Sequence, residues 1–184
     1  MGGSILTINA GSSSIKFALY EAADDEPILT AKGQVEGIGT APHFVAKSNE
    51  GAILSESYWE PAADGTGHGR AFEQIWSWLS GAAEGEEILA VGHRVAHGGE
   101  SYSGPVRIDG GVIESLTHLI PLVPLHQPNN LAAIRAVAAQ RPNLPQFACF
   151  DTGFHQGRAA VTERFAIPRQ LYERGVRRYG FHGL

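Results

Sequence analysis

Five short segments of the sequence hold residue types able to do chemistry. The first is Asn9-Ala10-Gly11-Ser12-Ser13-Ser14-Ile15-Lys16. A glycine followed by three serines presents backbone N–H groups and hydroxyls at one point, which suits a phosphate. Lys16 adds a point charge, and Asn9 supplies a neutral oxygen of the kind that meets hydrated Mg²⁺. A Walker A loop is excluded, because G-x-x-x-x-G-K-[ST] and the helix after it are absent. The plainer alternative is a Ser-rich hairpin turn that satisfies only its own backbone.

The second segment is Gly92-His93-Arg94-Val95-Ala96-His97-Gly98-Gly99. Arg94 is expected just past a buried strand, where a fixed guanidinium clamps a carboxylate or phosphate with two N–H groups; the alternative is a structural ion pair. His93 and His97 are four apart. The Glu of H-E-x-x-H is missing, however, and the paired glycines oppose a helix, which argues against zinc. Third, Pro124-Leu125-His126-Gln127-Pro128 holds His126 between two prolines. Fourth, Phe150-Asp151-Thr152-Gly153-Phe154-His155 delivers Asp151 at the end of a buried strand, where open α/β sheets place their chemistry. His182, in Gly180-Phe181-His182-Gly183, completes the set. Each has an ordinary structural explanation. Together they supply a cradle, an arginine clamp, a carboxylate on the metal side and two histidine donors, the parts of a phosphoryl-transfer site.

The elements that must position these residues are legible in outline. A strand over 5–9 and an alternating strand over 15–20, with Ile15, Phe17 and Leu19 on one side, predict a β-hairpin across the Ser turn. Strands are expected over 28–35 and 52–58. Phe72, Ile75, Trp76 and Leu79 make one apolar helical face. A strand over 88–92, a short helix over 111–119, a helix capped by Asn129 or Asn130 and carrying Leu131, Ile134 and Ala138, and a strand over 146–150 follow. Pro168 opens a last helix that Gly175 stops. The order predicts a single α/β lobe with a mixed sheet of about five strands and flanking helices.

Composition narrows the function classes. The chain has 184 residues and a net charge of −5, with no basic run long enough for a nucleic-acid face. A single cysteine, Cys149, rules out an internal disulfide and suits a reducing compartment. No run of 18 apolar residues predicts a membrane span. The start lacks the basic and apolar regions of a signal peptide, and Leu6 breaks the myristoylation pattern. The expected location is the cytoplasm, with no nucleic-acid or membrane partner.

Taken in order, the segments 9–16, 93–99, 125–128, 150–155 and 179–183 resemble acetate kinase. The resemblance implies a ribonuclease H-like lobe of the acetate and sugar kinase/actin ATPase fold. The family enzyme is about twice as long, so 1–184 would be its N-terminal lobe, with the C-terminal nucleotide-binding lobe absent. The adenosine loops, a second arginine and a metal-side glutamate would lie in that other lobe. The implied reaction is Mg²⁺- (or Mn²⁺-) dependent, reversible transfer of the ATP γ-phosphoryl group to acetate, giving acetyl phosphate and ADP. Asp151, His126 and His182 would be catalytic. Arg94, Ala96, Leu125 and Phe181 would bind acetate; Ser12, Ser14 and Lys16 the ATP phosphates; Asn9 the metal side. The full-length enzyme would be a homodimer. The sequence departs from the family pattern at Gln127, where Asn is common, at Gly153, where Ala is common, and at Ala96, where Val is usual. The rival readings are a propionate or butyrate kinase, and a truncated lobe that binds phosphate or carboxylate without catalysis.

Overall fold

The computed structural model describes residues 2–61, 67–82 and 87–184. The predicted hairpin is formed by β1 (Gly3–Ala10) and β2 (Ile15–Glu21), with Asn9 opposite Lys16. Ile15, Phe17 and Leu19 are buried, as their alternation requires. The Gly11 N–H donates to the Ser14 carbonyl across the turn at 2.8 Å. β3 (Ile28–Glu36) and β5 (Ile53–Tyr58) fall where expected. Between them lies β4 (His43–Ser48), which the sequence reading missed. Its Phe44, Val45 and Ala46 are all buried, so no polar alternation marks it.

α1 (Gly67–Ala82) buries Phe72, Ile75, Trp76 and Leu79. β6 (Glu87–Val95) is longer than expected and carries His93 and Arg94 inside the strand, not after it. β7 (Val106–Arg107) is a two-residue addition, and α2 (Gly110–His118) is capped by the Asp109 side chain on the Val112 N–H. α3 (Gln127–Gln140) starts earlier than predicted, with His126 at the N-cap and Pro128 in its first turn. Neither Asn129 nor Asn130 caps it. Asn130 is a buried interior residue. β8 (Gln146–Phe150) leads to Asp151, and the short α4 (Ala160–Glu163) and α5 (Arg169–Glu173) precede an irregular segment over 174–184 that carries Phe181 and His182.

The sheet has eight strands in the order β5-β4-β3-β2-β1-β6-β8-β7. The sheet is mixed as expected but larger than the expected five or so strands: β1, β2, β3, β5, β6 and β8 match expected strands, and β4 and β7 are additions. β1 pairs parallel with β6, and β6 parallel with β8, while the remaining pairs are antiparallel. One face is covered by helices. Leu6, Ile8, Phe17, Phe44, Phe72, Ile75 and Val137 form one cluster there; Val95, Leu116, Leu131, Ile134 and Phe150 form a second under α2 and α3. Because β1, β6 and β8 are mutually parallel, their carboxyl ends lie along one edge.

Candidate active site

Asn9 is the next-to-last residue of β1, Arg94 the next-to-last of β6, and Asp151 the first residue after β8. The parallel register brings all three together. The Arg94 guanidinium donates from Nε to Asp151 Oδ1 at 2.8 Å and from Nη2 to Oδ2 at 2.6 Å. Its Nη1 donates to Asn9 Oδ1 at 3.1 Å. The Asp151 side chain is 3% exposed and that of Arg94 37%. Hydrogen bonding to the Asp151 carboxylate holds Arg94 protonated still more firmly than usual. The expected fork is therefore present, but its two-pronged partner here is Asp151. A guanidinium has five N–H donors. The three used leave one on each Nη for a further anion.

These groups line a cavity of about 710 Å³, together with Ala96, Leu122, Val123, His126, Asn130, Phe181 and His182. His126, Phe181, His182 and Ala96 are thus gathered as the sequence suggested. Leu125 is not: it is 75% exposed and lies outside this cavity. The turn that places His126 at the helix N-cap swings Leu125 outward, and Leu122 and Val123 form the apolar wall instead. The cavity reaches the Ser turn at Ala10 and Gly11, with Ser12 and Ser14 beyond its wall. Lys16, cross-strand from Asn9, lies on the sheet face away from the helices, beside Asn9 and Arg94 in a cavity of about 570 Å³.

Two buried residues that the motif reading did not assign hold this arrangement. Asn130 donates from Nδ2 to the Ala10 carbonyl at 2.9 Å and accepts the Ala96 N–H at 3.0 Å. One amide thereby ties the end of β1 to the residue after β6. Its signal was an Asn within the helical span following His126, which reads equally well as a cap. His97 is also buried. Its Nδ1 accepts the Gly99 N–H at 2.8 Å, and burial lowers its proton affinity, so it is a neutral ring with the proton on Nε2. Tyr179 and Phe181 pack edge-on against it, with centroids 4.4 and 5.7 Å away. His93 lies deeper, its Nε2 2.8 Å from Gln146 Oε1, and burial pushes its pKa down to about 4.

Asn9 and Asp151 are hard oxygen donors. They fit the way Mg²⁺ is usually held, by one or two protein oxygens plus substrate phosphates and water. Arg94 occupies only part of the lone-pair capacity of Asp151. Among the described residues no group of three His, Cys, Asp or Glu could hold a metal unaided.

A mixed sheet ordered β3-β2-β1-β6-β8, helices on one face and polar residues at the parallel carboxyl edge define a ribonuclease H-like lobe of the acetate and sugar kinase/actin ATPase fold. Residues 4–184 match the Acetokinase family, and the chain belongs to it. It is 45% identical over 186 residues to an acetate kinase of Rhodopseudomonas palustris, covering 100% of this chain and 46% of that protein. An acetate kinase of Rhizobium meliloti is 45% identical over 180 residues, covering 98% and 45%. Among solved structures, a propionate kinase from Francisella tularensis superposes with a TM-score of 0.87 at 35% identity. Porphyromonas gingivalis acetate kinase gives 0.85 at 36%; each comparison covers 98% of this chain and 45% of the other. The chain spans about half the length of the curated relatives it matches.

Proposed function

We propose that the chain is the N-terminal lobe of a kinase that reversibly transfers the γ-phosphoryl group of ATP to acetate, giving acetyl phosphate and ADP. The observation that carries this reading is the cavity itself. Its floor is polar, from the paired Arg94 and Asp151, His126, His182 and Asn9, with two Arg94 N–H groups left to donate, and its wall is short and apolar, from Ala96, Leu122, Val123 and Phe181. A carboxylate bearing a small alkyl group matches that division.

Acetate is already an anion at neutral pH, so it needs no general base. One carboxylate oxygen forms a bond to the γ-phosphorus as the bond from that phosphorus to the β,γ-bridging oxygen breaks, and ADP leaves with the electron pair. The task of this lobe is alignment and charge neutralisation. The two free N–H groups of Arg94, with His126 and His182, donate to the acetate carboxylate and the transferring phosphoryl oxygens. Lys16 and the serines 12 and 14 face the nucleotide phosphates. Asp151 and Asn9 would hold Mg²⁺ or Mn²⁺ through oxygen; when bound, the ion neutralises phosphate charge. The adenosine site is assigned to the C-terminal lobe, and the full enzyme to a cytoplasmic homodimer. No helix among the described residues is long and apolar enough to cross a membrane.

Propionate is the second reading. Ala96 leaves the acyl wall small, and the Francisella tularensis relative is a propionate kinase. The test is formation of acyl phosphate, trapped as hydroxamate, by the gene product at its natural length with ATP and either acid. Turnover with acetate or propionate supports the reading; none with either refutes it. The 184-residue chain alone should turn over at least about 10²-fold more slowly, since losing even one transition-state donor costs ~10²–10³.

A further inference from the structure

We infer that His155 is a positioning residue that holds His182 in its working orientation. His182 is the one described non-glycine residue with a positive φ, 58°. That left-handed backbone is unfavourable for a residue with a Cβ, and it persists only when its surroundings impose it.

The surroundings are identifiable. The Phe181 carbonyl and the His182 nitrogen belong to one planar peptide, and the His182 carbonyl and the Gly183 nitrogen to the next. His155 Nε2 donates to the Phe181 oxygen at 2.8 Å, which anchors the first plane. The Gly183 N–H donates to the Asp151 carbonyl at 3.1 Å, which anchors the second. With both planes held, both dihedrals of His182 are set. The two anchors come from one short stretch, Asp151 and the 3₁₀ turn Gly153–His155 after it. The loop that bears Asp151 therefore also aims His182, and the two approach the site as one unit.

Close packing enforces the fit. A Cβ at Gly180 would stand 2.4 Å from His155 Cγ, so the imidazole lies against the bare Cα. A Cβ at Gly183 would stand 2.4 Å from Phe154 Cβ and 2.5 Å from the Asp151 oxygen. Only glycines allow 180–183 to lie this tightly on 151–155. His155 itself lies outside the cavity that holds His182, so it acts through the backbone and not on the substrate.

The inference rests on the proposed reaction for its kinetic consequence but not for its structural one, and the experiment separates them. In the 184-residue chain, the backbone chemical shifts of His182 report the positive φ. His155→Leu should abolish that signature. His155→Gln, whose amide reaches the place of the imidazole Nε2, should keep it. In the gene product at natural length, His155→Leu should lower kcat about 10- to 100-fold, the penalty of a small misplacement. KM for acetate and ATP should change little, and His155→Gln should recover most of kcat. An unchanged His182 signature in His155→Leu overturns the inference. Should that variant not fold, the wild-type chain decides: an exchange-protected His155 Nε2 proton coupled to the Phe181 carbonyl is expected, and its absence overturns the inference. A natural-length protein without any acyl phosphate formation refutes the proposed reaction, while the His182 signature still decides this inference.

Discussion

Removing the Arg94 guanidinium should expose how strongly the site is held by charge. The Asp151 side chain is 3% exposed and receives two of the three Arg94 hydrogen bonds, at 2.8 and 2.6 Å. Arg94→Met keeps the aliphatic stem but leaves a buried carboxylate without its cation. Breaking a buried pair by removing one partner typically costs ~3–5 kcal/mol. Arg94 is itself 37% exposed, so water can partly replace it and the low end, about 3 kcal/mol, is expected. For a chain of this size that is a fall in Tm of roughly 6–12 °C. Asp151→Asn keeps the shape and one acceptor, and in the Arg94→Met background it should restore stability instead of lowering it. Denaturant unfolding of the four species of this cycle gives the coupling directly, provided the m-value is constant. An Arg94→Met chain within about 0.5 kcal/mol of wild type, the scatter of ordinary surface changes, would refute the reasoning. The pair would then be a surface contact with no bearing on how Asp151 is held.

The small acyl wall predicts that Ala96→Val lowers the propionate-to-acetate ratio of kcat/KM about fourfold, the worth of one buried methylene at ~0.8 kcal/mol; an unchanged ratio would show that Ala96 does not shape the pocket. Asn130→Leu orphans the Ala10 carbonyl and the Ala96 N–H together, so it should destabilise the chain by about 2–6 kcal/mol, at ~1–3 per group. Thermal unfolding is the check, and a loss below about 1 kcal/mol would mean that water satisfies both groups. His93 titrates at about 4 in the folded chain against 6.5 ordinarily. Between those values the unfolded chain binds more protons, so stability should rise with pH from about 4 to 6.5 and then level off on this account. His93→Gln, which keeps a donor toward Gln146, should flatten that rise; an equal slope in the variant would contradict the assignment.

Much of the fold was legible because it is local. The alternation of Ile15, Phe17 and Leu19 and the spacing of Phe72, Ile75, Trp76 and Leu79 are set by strand and helix periods, and all seven are buried as those periods require. β4 escaped notice because Phe44, Val45 and Ala46 are all covered. The start of α3 was misplaced because an Asn near a helix entry reads as a cap, whereas Asn130 turns inward to reach β1 and β6.

The sequence by itself determined which chemical groups the site could contain, and that Asp151 emerges from a buried strand. Tertiary structure alone decided what those groups do to one another. Arg94 meets Asp151 across 57 positions and Asn9 across 85, and Asn130 reaches Ala10 across 120. No short-range pattern records such pairings. They follow from the parallel register of β1, β6 and β8, which depends on how the intervening helices pack. Leu125 is apolar and next to His126 in sequence, yet it points outward, because the turn into α3 presents Leu122 and Val123 to the cavity. The left-handed backbone of His182 is likewise invisible in a histidine codon. It exists because two peptide planes are held by a loop that lies some thirty residues earlier in the chain, at Asp151 and His155.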